Sequence, residues 1–261
     1  MSILRNWLKK GWLGASAGQM RPMYRRALII AWPAALEGLL ISVISSADTM
    51  MVGAIGPAAI AAVGLTAQPR MIMLIMAQSL SIGTMALVAR RKGAGDTAGI
   101  RGALEQSLYI ALALGLLMSL LGYFLAGPIM SLAGANADTL AYSTDYFRII
   151  SLGFVFSSAQ LCISAAFRGL GKTRVTLLTN LLSNVLNLIF NYLLIGGRLG
   201  LPRLGVRGAA IATLIGTVAS ALLSFWFVMN RHSAFSFRFR LPRFDRATLS
   251  ALSLIGSSSA A

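Results

Sequence analysis

Residues 175–195 read VTLLTNLLSNVLNLIFNYLLI, an unbroken stretch with no charged side chain. As an α-helix this is long enough to cross a hydrocarbon core of about 30 Å. Within it Asn180, Asn184, Asn187 and Asn191 recur at intervals of four, three and four, which lines one helical face with amides. Amides turned to lipid would leave donors and acceptors unsatisfied, so the stripe faces protein or a water-filled cavity. Interhelical hydrogen bonding, worth about 0.6 to 2 kcal/mol per contact, is the plainer reading. A lined cavity is the sharper one, because four amides in register exceed what simple adhesion between helices needs.

The rest of the chain repeats this length of apolar block. Of 261 residues 57% are hydrophobic and only 11% charged, and the mean hydropathy is +0.75. A soluble domain carries about a quarter charged residues, so these values define an integral membrane protein. Five further spans are predicted: 27–53, 67–92 after a small-residue connection at 56–64, 104–126, 142–167 and 208–229. The expected architecture is an all-α bundle of six transmembrane helices over 27–230. It is preceded by an amphipathic amino-terminal segment (1–26) and followed by a basic linker and a further apolar start (231–261).

The net charge of +16 invites a nucleic-acid reading. The cations instead lie in short runs between apolar blocks, which is a topology signal. Counting alternate connections puts eighteen lysines and arginines on one side and three on the other, with Arg70 and Arg148 expected near span ends. Both termini are therefore expected in the cytoplasm, with the bilayer as the partner and no nucleic acid. Cys162 and His232 are each the only residue of their kind. No nucleophile–base pair, phosphate-cradling glycine loop or metal-ligand spacing appears in the sequence, so no enzyme and no resident cofactor are predicted.

Ionisable groups at bilayer depth cost roughly 2.5 to 3.5 kcal/mol on insertion scales and mark function by default. Glu37 and Asp48 stand eleven residues apart on the first predicted span, about 20° from three whole turns and on the order of 16 Å apart along one face. Pro33, four residues before Glu37, removes a backbone hydrogen bond and is expected to bend the helix. Asp48 at the outer interface, hydrated at little cost, is the plainer alternative.

Several of these motifs resemble the multidrug and toxic compound extrusion (MATE) family. They are Asp48 to Gly53 with Ile55-Gly56-Pro57 and Ala61 to Leu65, Gly83-Thr84 with Ala89 to Asp96, and Arg168-Gly169-Leu170-Gly171-Lys172-Thr173-Arg174. Asn187 to Tyr192, Gly205-Val206 and Gly208 to Thr213 complete the series. The resemblance implies one lobe of a twelve-helix transporter whose second six-helix lobe lies beyond this chain. It implies multidrug efflux, with organic cations leaving in exchange for sodium ions or protons. It places Asp48 at the position of a coupling aspartate, Pro33 at the helix bend, and Asn187, Asn191 and Thr213 among the groups around the coupling cation. Some members have an aspartate where this chain has Asn191. Glu37 matches no family carboxylate and enters the coupling set on the spacing argument alone, and Asn180 and Asn184 are expected to line the substrate cavity. A bacterial plasma-membrane location follows from the same resemblance. Two rivals are a flippase of lipid-linked saccharides, opposed by the acidic and amide character expected of the interior, and a half-transporter that does not transport alone.

Overall fold

The computed structural model describes residues 49–230 together with Trp32, Gly38, Leu39, Ser42, Ile44, Ser46 and Ala47. Pro33, Glu37 and Asp48, the amphipathic segment and the basic tail lie outside the described residues. The chain divides into two compact units, Met1–Ser42 and Val43–Ala261. In the first, Ser42 Oγ donates to the Gly38 carbonyl (3.0 Å), one helical turn back.

The second unit contains α1 (Pro57–Gly93), α2 (Thr97–Phe124), α3 (Ala126–Leu132), α4 (Leu140–Leu152), α5 (Phe154–Gly169), α6 (Thr173–Gly196) and α7 (Val206–Met229). Four of these, α1, α2, α6 and α7, are long and apolar enough to cross a membrane, and α4 with α5 form a fifth span bent by 47°. Among the described residues the second to sixth predicted spans are present in order, with two corrections, and the first, 27–53, lies mostly outside the described residues. The stretch 56–64 is not a connection: α1 begins at Pro57, directly after Gly56, and runs for 37 residues. Proline at a first helical position needs no N–H partner, and the alanines that follow are the strongest helix formers.

The second correction is that the fourth span is broken at Gly153. The Gly153 amide bonds back to Ile150 O and its carbonyl accepts from Phe156 and Ser157. A Cβ at Gly153 would stand 3.0 Å from Leu214 Cδ1 of α7, so the bend is seated on the neighbouring helix. Arg70, expected near a span end, lies within α1 directly after Pro69, about 30 Å along the helix from Arg90.

Close packing carries the bundle. Gly208, Ala212, Gly216, Ser220 and Ser224 recur every fourth residue on α7 and are all buried. A Cβ on Gly208 would lie 2.8 Å from the Leu194 carbonyl, and one on Gly216 2.5 Å from Ser183 O, so only glycine lets α7 lie this near α6. Ser158 Oγ donates to Ala111 O (2.9 Å), joining α5 to α2, and Thr176 Oγ1 to Ser164 O (3.3 Å), joining α6 to α5.

At the end of the bundle that carries the basic runs, Leu87, Val88, Ile100, Leu104, Ile163 and Phe167 form an apolar core. The turns there are closed by side chains. Asp96 caps α2 by accepting from Gly99 N (2.8 Å), and Lys92 Nζ donates to Leu170 O (2.6 Å) across to the α5–α6 connection. At the opposite end a second core gathers Val52, Ala59, Tyr146, Ile195, Val206 and Ala210.

Candidate functional site

One polar cluster of the interior lies far from the basic runs. Asn191 stands seventeen residues after Arg174, about 26 Å along α6, and Thr213 is in the second turn of α7. Between the two helices runs a directed chain of hydrogen bonds. Asn191 Nδ2 donates to Asn187 Oδ1 (3.2 Å), Asn187 Nδ2 to Thr213 Oγ1 (3.0 Å), and Thr213 Oγ1 to Ala209 O (3.0 Å). Thr217 Oγ1 in turn donates to Thr213 O (2.8 Å). Asn187 and Asn191 are both buried, at 8% and 2% exposure, so the orientation of each amide is set by its neighbour rather than by solvent.

This network borders a cavity of about 260 Å³, lined by Thr49, Arg70, Tyr146, Asn191 and Thr213 among smaller apolar residues. Thr49 and Asn191 come from different spans, and oxygens of the kind Thr49, Asn191 and Thr213 supply are hard ligands suited to sodium. Among the described residues no three His, Cys, Asp or Glu side chains cluster as a metal site. Asp48 lies outside the described residues, but its neighbours Ala47 and Thr49 are helical, and Thr49 and Val52 stand on the cavity wall.

The amide stripe divides. Asn187 and Asn191 meet Thr213, as the resemblance implied, whereas Asn180 accepts a hydrogen bond from Gln160 Nε2 of α5 (3.0 Å). Gln160 Nε2 also reaches Ser164 Oγ (3.2 Å). Asn180 and Asn184 are half-buried and do not line the cavity that Asn191 and Thr213 share. Arg70 is the wall residue that the sequence reading missed. It lines this cavity and also a small adjoining one of about 40 Å³ with Ser151, Gly153, Ser157, Thr213 and Thr217. Its position after Pro69, within a long apolar stretch, was the available signal.

A multi-pass helical lobe with a polar cavity between its spans is the architecture of one half of a secondary transporter. The MatE family profile matches residues 33–193, and the chain belongs to that family. It is 28% identical over 231 residues to the probable multidrug resistance protein NorM of Thermotoga maritima, covering 88% of this chain and 48% of that protein. It is 29% identical over 242 residues to the multidrug resistance protein PmpM of Pseudomonas aeruginosa, covering 91% and 50%. A solved transporter of the MOP superfamily from Pyrococcus furiosus superimposes with a TM-score of 0.81 at 25% identity, over 88% of this chain and 50% of that one. The chain thus spans about half the length of the relatives it matches, consistent with an amino-terminal lobe.

Proposed function

We propose that this lobe serves in secondary active efflux of lipophilic organic cations, driven by exchange for sodium ions or protons at Asp48. The observation that carries this reading is the hydrogen-bonded set Asn191–Asn187–Thr213 on the wall of a cavity that Thr49, the neighbour of Asp48, also lines. A cation or proton on Asp48 would compete with a cationic drug for the same charge, and binding of one would favour release of the other. Such competition is what obligatory exchange requires of a site reached alternately from either side. The amide at position 191 keeps one formal charge fewer in the site than an aspartate would, which favours weak sodium binding or proton coupling.

The lobe works with a second six-helix lobe across the cavity, and Pro33 is the place where the first span bends during the cycle. Glu37 joins the coupling set from the same face of that span. Asn180 and Asn184 contribute to the substrate path nearer the basic runs, which face the cytoplasm together with both termini. A bacterial inner membrane is the setting that these assignments imply. A flippase of lipid-linked saccharides is the second reading, and Arg70 is the observation that favours it, since a cation on the cavity wall can receive a phosphate.

The test is ethidium efflux from cells that express this chain with a second lobe. Asp48→Asn is expected to abolish efflux while leaving membrane insertion intact. Efflux at the wild-type rate in that variant would remove Asp48 from the mechanism.

A further inference from the structure

The basic end gathers cations from two connections that lie far apart in sequence. Lys92 Nζ, in the last turn of α1, donates to Leu170 O (2.6 Å) in the α5–α6 turn, and it would stand 3.7 Å from a Cβ on Gly171. Gly169, at the end of α5, packs on α1, where an added Cβ would meet Met85 O at 2.7 Å and Val88 Cβ at 3.1 Å. The end of α1 and the α5–α6 turn are thereby one surface, to which Arg168, Lys172 and Arg174 also belong. Two cations at this end are answered by carboxylates, Arg91 by Asp96 (3.9 Å) and Arg101 by Glu105 (2.8 Å). Among the described residues Arg90, Lys92, Arg168, Lys172 and Arg174 are exposed and have no carboxylate partner. A topology signal needs cations near a span end, not their convergence on one turn. Like charges gathered in this way repel, and an anion among them removes that cost.

We infer that the α5–α6 turn, with Arg168, Lys172, Arg174 and Lys92, binds the headgroup phosphate of an anionic phospholipid. The level suits a headgroup: α5 ends at Gly169 and α6 begins at Thr173, so the turn joins two membrane-crossing segments at the bilayer surface. Below Arg174 the same face of α6 carries Leu178, Leu181 and Val185, at intervals of four, three and four, and each is exposed. That stripe is an apolar track for an acyl chain leading away from the charged turn. The guanidinium groups of Arg168 and Arg174 match phosphate oxygens through paired hydrogen bonds, and Lys172 adds a point charge. The terminal segments of the chain are poor rivals for the place. Residues 1–26 hold six lysines and arginines and no acid, and residues 231–261 hold five arginines and a single acid, Asp245. The lipid site does not depend on the efflux function proposed above.

The test is native mass spectrometry of the full chain with two lipids of identical acyl chains, palmitoyl-oleoyl phosphatidylglycerol and the zwitterionic palmitoyl-oleoyl phosphatidylcholine. The wild type should bind the phosphatidylglycerol at least about tenfold more tightly, since each cation near an anionic headgroup contributes a factor of roughly five. Arg168→Gln combined with Arg174→Gln should lower that affinity by about tenfold or more. Arg198→Gln combined with Arg203→Gln removes the same charge at the opposite end and should leave the affinity within about twofold. If the Arg168/Arg174 variant does not fold, the single exposed change Arg174→Gln decides the matter, with a loss of about fivefold expected. Equal binding of the two lipids by the wild type would overturn the assignment. So would an equal loss in the Arg198/Arg203 variant, which would make the preference one of overall charge. Displacement of the phosphatidylglycerol by inorganic phosphate at equal concentration would overturn it in favour of a free anion.

Discussion

The two ends of the bundle use polar residues in opposite ways. At the basic end charged side chains close the turns: Asp96 caps α2, Arg91 reaches Gly99 O (3.1 Å), and Lys92 ties α1 to the Leu170 carbonyl. The core beneath is made of large apolar side chains such as Leu104, Ile163 and Phe167. At the other end the core mixes alanines (Ala59, Ala209 and Ala210) with Tyr146 and Ile195, and Asn191 and Thr213 face a cavity. In the first region, charges that lie near water secure the connections. In the second, buried amides are oriented by one another and leave room for a solute. The proposed transport would call on both, a rigid end that preserves its shape and a hollow one that binds.

Substitutions at the two ends should therefore differ in kind. The largest of three effects is expected at Gly169, at the basic end, where an added Cβ would stand 2.7 Å from Met85 O and 3.1 Å from Val88 Cβ. Gly169→Leu should destabilise the lobe by about 3 kcal/mol or more, seen as loss of the monodisperse peak in gel filtration. Lys92→Met removes one cross-helix hydrogen bond at the exposed edge of the same region and should cost about 1 kcal/mol, read as a lower thermal midpoint in detergent. The smallest effect falls at the opposite end. Arg207 donates two hydrogen bonds to Asp145 Oδ2 (2.9 and 2.7 Å) but is 64% exposed, so Arg207→Gln should cost less than about 1 kcal/mol by the same measurement. A larger loss at Arg207 than at Lys92 would break the contrast between the two ends.

How legible the lobe was depended on whether a signal is local. Apolar length and the spacing of cations gave the order of the spans, because the bilayer imposes its thickness on each helix separately. The start of α1 was also local, in Gly56-Pro57, but the small residues that follow read as a connection although alanine favours helix. The break at Gly153 was harder to read, since a lone glycine inside an apolar stretch does not reveal that Leu214 of another helix packs against it. The asparagine spacing placed four amides on one face, yet spacing cannot say what stands opposite. Gln160 meets Asn180, Thr213 meets Asn187, and only Asn191 of the four lies on the wall of the larger cavity. Arg70 was obscured for the same reason, because its neighbours across the cavity come from spans distant in sequence.

Thiol accessibility tests the hollow end most directly. The chain has a single cysteine, Cys162, which is fully buried, so a second one reports alone. Thr213→Cys in native membranes should react with a water-soluble maleimide, and ethidium should slow that reaction severalfold. A Ser158→Cys control, on the α2–α5 seam, should stay unreactive. An unreactive cysteine at position 213, or a labelling rate that ethidium leaves unchanged, would contradict a solute-binding cavity beside Asn191 and Thr213.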